Sequence, residues 1–129
     1  MPLPITSLLT GIFAVLMVPL SFQVSARRVK LGGVSSGDAG DETLRRRIRA
    51  HGNFIEYVPT ALISVGLIEY AGAARGIVLG LAAAFLVSRI LHLIGMLYTS
   101  TPALRASGML IQHAAFLIAG CWLLVRAVA

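Results

Sequence analysis

From Leu3 to Ala26 the chain runs 24 positions without a charged residue. Such a run is long enough to cross a hydrocarbon core of about 30 Å with some tilt. In a lipid core only helices and closed barrels satisfy their backbone hydrogen bonds, so a run of this length reads as a membrane helix. Composition agrees: 57% of the 129 residues are hydrophobic and 12% are charged. A soluble domain carries about 25% charged residues. No basic residues precede the first apolar run, whereas Arg27, Arg28 and Lys30 follow it. That order is the reverse of a signal peptide, and the segment reads as a retained first helix.

Four helices account for nearly the whole length, as one all-α, integral membrane four-helix bundle in a single domain, 1–129. The punctuation predicts helices at about 3–28, 42–70, 74–98 and 102–128. Residues 30–41 (KLGGVSSGDAGD) are a glycine- and serine-rich loop. Asp41 or a neighbour can cap the second helix, and Glu42 suits its positive end. Thr101 as cap with Pro102 in the first turn is a start signal for the fourth. Pro19 and Pro59 each remove a backbone bond inside a helix. Gly72, Gly76, Gly80, Ala83 and Ala84 permit close helix packing.

The first loop and its flanks hold Arg27, Arg28, Lys30, Arg45, Arg46, Arg47 and Arg49, seven of the 11 basic residues. The third loop adds Arg105, while Arg75 and Arg126 lie at the other end. By the bias of basic residues toward the cytosol, the first and third loops face the cytosol and both termini do not. The net charge of +6 is explained by topology and anionic lipid, and nucleic acid is not an expected partner.

Ionisable groups at membrane depth cost roughly 2.5–3.5 kcal/mol each on insertion scales. This chain keeps several. On the second helix Arg45, Arg49, Asn53, Glu56 and Thr60 are spaced four, four, three and four apart, so they share one face. Arg46 and Arg47 point elsewhere and read as headgroup-facing. An arginine, an amide and a carboxylate on one face either lock helices together or grip a zwitterion, guanidinium to carboxylate and carboxylate to ammonium. The residues alone leave both readings open. Arg89 lies inside the third helix, one turn before His92, and needs a counter-charge. An Arg89–Glu56 pair, within or between chains, is the plain expectation. Arg105 is either a headgroup anchor or a cation that stabilises a nearby thiolate. His51 and His113 read as interfacial and packing residues, and Cys121 as a small hydrophobe. Neither a metal-ligand spacing, a phosphate loop nor a nucleophile–base pair is present in the sequence.

Arg49, Asn53, Glu56 and Tyr57, following the Ser25-Ala26-Arg27-Arg28 end of the first helix, resemble the membrane-associated eicosanoid and glutathione metabolism family, MAPEG, in its small bacterial branch. The resemblance spans essentially the full chain in length, helix number and topology. It implies a homotrimer in a bacterial inner membrane, with glutathione as cosubstrate between protomers near the cytosolic side. It further implies that Arg28, Arg49, Asn53, Glu56, Tyr57, Arg89 and His92 line the glutathione site. Arg105 approximates the family's thiolate-stabilising arginine. Where eicosanoid-making members carry tyrosines on the third helix, this chain has His92 and Met96. The implied activity is a glutathione transferase or peroxidase acting on lipophilic electrophiles. The alternative is a membrane protein that binds a lipid or small amphiphile without chemistry. A transporter subunit is disfavoured, because no internal repeat relates residues 1–70 to 71–129.

Overall fold

The computed structural model of the protein describes residues 2–99 and 102–128. Four helices follow one another: α1 (Pro4–Lys30), α2 (Glu42–Tyr70), α3 (Arg75–Leu97) and α4 (Ala103–Val128). The described residues include no strand. Thr101, the cap expected for α4, lies outside the described residues.

Local chemistry sets the ends. Pro4 occupies the first turn of α1, where a missing N–H costs nothing. That turn has no cap of its own. Its N–H groups on Ile5 and Thr6 donate to the Glu69 carboxylate at 2.9 and 2.8 Å, and the Thr6 hydroxyl donates to it at 2.6 Å. An acid from the end of α2 thus serves the positive end of α1. At the other end of α1, Gly32 and Gly33 take positive φ, which stops the helix. Asp41 caps α2 by accepting from Leu44 N at 2.6 Å. The same carboxylate accepts from Arg27 Nε at 3.1 Å and from its Nη2 at 2.7 Å. Gly72, at φ 75°, closes α2, its N–H bonding back to Glu69 O.

These links make α1 and α2 antiparallel. The short turn through Ala71–Ala74 and the approach of α4 to the end of α3 continue the alternation. Helix α2 packs against all three others, and α1 packs on α2 and α3. The shared core takes Phe13 from α1, Phe54, Val58 and Val65 from α2, Phe85 from α3, and Ala115 and Ala119 from α4. Phe13 meets Phe54 edge-on, with ring centroids 5.6 Å apart. Leu8, Val15 and Phe22 on α1, and Leu110, Leu117 and Leu124 on α4, stay exposed. A large apolar residue is easily left outside when the surrounding solvent is lipid.

Three helices, α1, α3 and α4, are long and apolar enough to cross a membrane. Helix α2 is not, because ETLRRRIR and the polar stripe occupy its first half. Its polarity is absorbed by its neighbours. Arg46 and Arg47 show how, and they correct the headgroup-facing expectation. Arg46 Nε donates to Met96 O at 2.7 Å, and a second Arg46 N–H donates to Thr99 O. Met96 O belongs to the last turn of α3, whose carbonyls lack helical partners. Arg47 Nη1 donates to Gln23 O of α1 at 2.9 Å. Both guanidinium groups tie helices together.

Within the chain, close packing falls at other glycines. A Cβ built on Gly72, Gly76 or Gly80 meets nothing within 4 Å. The tight contacts fall instead between α3 and α4. A Cβ on Gly95 would lie 2.5 Å from Arg105 N, and one on Gly108 would lie 2.7 Å from Ser88 O and 2.8 Å from His92 N. These neighbours are backbone and cannot step aside. Gly108→Ala therefore lowers stability by about 1–3 kcal/mol, as overpacking does. Gly80→Ala stays within about 0.5 kcal/mol of the parent. Thermal unfolding of both variants in one detergent checks the contrast.

The Arg27 guanidinium holds the Asp41 carboxyl below its ordinary range, and Arg45 does the same for Asp38. A depressed folded-state value means that the stability these groups add is complete above the ordinary carboxyl value of about 4. That stability is lost as pH falls through the lower folded values. Cleavage in residues 31–41 by an acid-active protease should rise steeply below about pH 4. In Asp41→Asn the loop should already be sensitive at neutral pH, to a neutral-active protease.

Candidate functional site

At the end of the bundle that gathers the N-terminus of α2, the C-terminus of α3 and the N-terminus of α4, the polar stripe of α2 lines a groove. The groove encloses ≈ 620 Å³. Arg49, Asn53 and Glu56 form its α2 wall, His92 and Met96 its α3 wall, and Arg105, Ala106 and Met109 its α4 wall. It continues into a depression of ≈ 480 Å³ lined by Glu42, Arg45 and Arg46, and shares Arg49, Met96 and Arg105 with it. The width is fixed where Gly95 and Gly108 let α3 and α4 touch, since Gly95 packs on Arg105 itself.

The stripe divides by helix rotation. Phe54 and Val58 are buried, which turns Asn53 partly toward α3 and leaves Arg49 and Glu56 exposed on the groove side. Arg89 takes the position facing Asn53. It is 1% exposed, and its Nη1 donates to Asn53 Oδ1 at 2.7 Å. Its guanidinium lies 5.3 Å from the Tyr57 ring centroid, a cation–π contact. Met109 Sδ, at 3.7 Å from Nη2, and Ser88 Oγ, at 3.5 Å from Nε, complete its surroundings. Within the chain, then, Arg89 does not pair with Glu56. Asn53, one turn earlier on α2, faces α3 and takes that place. A buried cation is held by an amide dipole and an aromatic face without a carboxylate.

Tyr57 packs against Phe116 and His113, with centroids 6.2 and 6.0 Å apart. Tyr57 and Arg89 thus stand behind the groove and do not line it. Arg28 is placed elsewhere, with Nη1 donating to Val34 O at 3.2 Å in the first loop. Arg49, Asn53, Glu56, His92 and Arg105 are the site candidates that meet in the groove.

The chain has five acidic residues, and their engagements define the groove's charge. Asp38 and Glu42 pair with Arg45 at 2.6 and 3.1 Å, and Asp41 pairs with Arg27 at 2.7 Å. Glu69 caps α1. Among the described residues Glu56 makes no ion pair or hydrogen bond. Arg49 has no carboxylate partner there either, and the one polar contact of the Arg105 guanidinium among the described residues is Met96 Sδ, at 4.0 Å. The groove therefore presents two uncommitted cations and one uncommitted anion. Asn53 spends its oxygen on Arg89, and its amide N–H groups remain to serve a ligand. No three or more His, Cys, Asp or Glu side chains gather as a metal site among the described residues.

The sequence reading missed one buried pair. Ser88 and Gln112 are fully buried, and Ser88 Oγ lies 2.7 Å from both Phe85 O and Gln112 Oε1. One hydroxyl proton cannot serve two acceptors. Turning the amide so that Gln112 donates to Ser88 satisfies both contacts and engages the otherwise unpartnered Gln112 Nε2. A serine and a glutamine on apolar helices were the available signal.

Replacing Asn53 tests the Arg89 arrangement. Asn53→Leu leaves a buried guanidinium short of its one side-chain oxygen on α2, and should cost about 1–3 kcal/mol. Asn53→Asp supplies a full counter-charge and should recover most of that loss. Thermal unfolding of the two variants side by side reads the difference.

A family model described as "MAPEG family" matches residues 6–125. "Inner membrane protein YecN" of Escherichia coli strain K12 is 32% identical over 91 residues, which cover 70% of this chain and 69% of that protein. The protein of the same name from Escherichia coli O6:H1 matches to the same extent. No solved structure matches the chain. With the family match running through all four helices, and with three helices apolar enough to span a bilayer, the chain is a membrane protein and belongs to the MAPEG family.

Proposed function

We propose that the groove binds glutathione and that the protein is a glutathione-dependent transferase or peroxidase for lipophilic electrophiles. The observation that carries this reading is the uncommitted charge: Arg49 and Arg105 against Glu56. Glutathione with its thiol ionised carries two carboxylates, a thiolate and one ammonium, so the two cations can meet one carboxylate and the thiolate while the anion meets the ammonium. Arg49 binds a carboxylate, Glu56 binds the ammonium, and the Asn53 amide N–H groups bind a peptide carbonyl or the second carboxylate. Arg89 acts as a positioning residue that fixes Asn53, with Tyr57 as its second support. His92 forms part of the α3 wall.

Arg105 faces the thiol. A cation near a thiol favours its ionised form, and a free thiol with a pKa of about 8.5 needs a shift of roughly two units to be mostly thiolate at pH 7. In the transfer reaction the thiolate sulfur forms a bond to the electrophilic carbon, and the leaving group departs with its electron pair. The wall of Met96, Ala106 and Met109 is the apolar approach for a substrate from the bilayer.

Arg28 does not line the Arg49–Arg105 groove of its own chain. A homotrimer, in which a neighbouring protomer brings Arg28 and the end of its α1 to this groove, accounts for the resemblance at that position. We place the protein in a bacterial inner membrane, as the name of its Escherichia coli relative suggests. Helix α2 crosses shielded by its neighbours, the groove and the first and third loops are cytosolic, and both termini lie opposite.

Titration of the purified protein with glutathione, following thiolate absorbance in the ultraviolet, tests the reading. Binding should occur at millimolar thiol or below. Glu56→Gln should weaken it about tenfold or more, the worth of one hydrogen bond to a charged group. Arg105→Ala should retain binding within a few-fold and lose the thiolate signal. If the parent fails to bind glutathione, the proposal fails. Binding without a thiolate signal or turnover would leave a binding protein for amphiphiles in the same groove.

A further inference from the structure

We infer that a second groove, at the end of the bundle opposite Arg49 and Arg105, holds one anionic phospholipid. It encloses ≈ 840 Å³ between the α2–α3 turn, at Ala71 and Gly72, and the outer face of α4. Leu117, Ile118, Trp122 and Val125 give it apolar walls, and Arg126 stands at its mouth near the end of α4. From Leu117 to Arg126 the helix climbs about 14 Å at ~1.5 Å per residue, a length that suits the upper part of an acyl chain. Helix α4 is one of the three long apolar helices, and Leu117, Ile118 and Val125 are exposed along the groove. Trp122 lies one turn inside Arg126, the usual depth of an interfacial tryptophan.

The charge accounting selects the occupant. Arg126 is exposed and makes no ion pair or hydrogen bond among the described residues. Among the described residues no free side-chain carboxylate is available as its counter-ion. Asp38, Asp41 and Glu42 are paired with arginines at the far end, Glu69 is spent on the start of α1, and Glu56 lies in the other groove. For the same reason the described side chains of a second copy bring no free carboxylate to this end. A soluble anion gains nothing from the apolar walls. A phospholipid meets both requirements, with its chain along α4 and its phosphate on Arg126. With one cation and no acid in the lining, a net negative headgroup is preferred over a zwitterionic one.

Trp122 is the chain's one tryptophan, so the intact protein reports on this groove by its own fluorescence. Reconstituted into vesicles, it should be quenched about fivefold more effectively by brominated phosphatidylglycerol than by brominated phosphatidylcholine at equal low mole fraction. Arg126→Gln should bring the two lipids to parity, while Arg75→Gln, at the same end but outside the lining, should keep the preference. Equal quenching in the parent overturns the inference. So does a preference that survives Arg126→Gln, which would reflect the basic surface in general. Quenching by neither lipid overturns it as well, and would show that protein covers the groove.

Discussion

The bundle depends on one constraint: α2 carries charges that no lipid-exposed helix could keep, and its neighbours must neutralise them. Each neighbour does so with a group it has to spare. The C-terminal turn of α3 has orphan carbonyls, and Arg46 takes them. Helix α1 offers a second lone pair at Gln23 O, and Arg47 takes it. Asp41 pins Arg27 of α1 to the first turn of α2 while capping that turn. At the far end the traffic reverses, and Glu69 of α2 serves the open N–H groups of α1. Both ends of the α1–α2 pair are thereby fixed by charge-assisted bonds, which are the strong class. The apolar core between them sets rotation more than alignment.

With so few acids, each commitment shapes what remains. Four carboxylates hold the architecture, and the fifth, Glu56, lines a groove with Arg49 and Arg105, neither of which has a carboxylate partner among the described residues. Arg89 is handled differently from all of these. Buried among Asn53, Tyr57 and Met109, it draws on dipole, quadrupole and sulfur in place of a carboxylate. Had Glu56 paired with Arg89, the groove would hold cations alone, and it would suit a simple anion better than a zwitterion.

Much of this was legible in the sequence. Charge-free runs, the glycine-rich loop and the Arg49–Glu56 spacing gave a four-helix, all-α membrane protein and the polar face of α2. Partner choice was not legible. Arg45, Arg46, Arg47 and Arg49 are the same residue type within five positions, yet two meet carbonyls on other helices, one meets acids and one is free. That sorting depends on helix rotation and on carbonyls up to 53 residues away. Asn53 and Glu56 sit on one broad face by spacing, and only the burial of Phe54 and Val58 decides which of them looks at Arg89. The glycines behave likewise. Gly76 and Gly80 have the spacing of a packing seam but face open space, while Gly95 and Gly108, 13 residues apart on different helices, make the contact.

That contact joins the fold to the chemistry. Gly95 lies against Arg105, and Gly108 lies against the backbone of Ser88 and His92, so the residues that set the α3–α4 distance are neighbours of those that line the groove. The buried Ser88–Gln112 pair bridges the same two helices deeper in the bundle. The position of Arg105 relative to the His92 wall is therefore fixed by backbone contact, which leaves little room to adjust. A guanidinium on a long side chain is a mobile charge. Seated on a helix that cannot slide, it becomes one with a defined reach, as the proposed role of Arg105 toward a thiol requires.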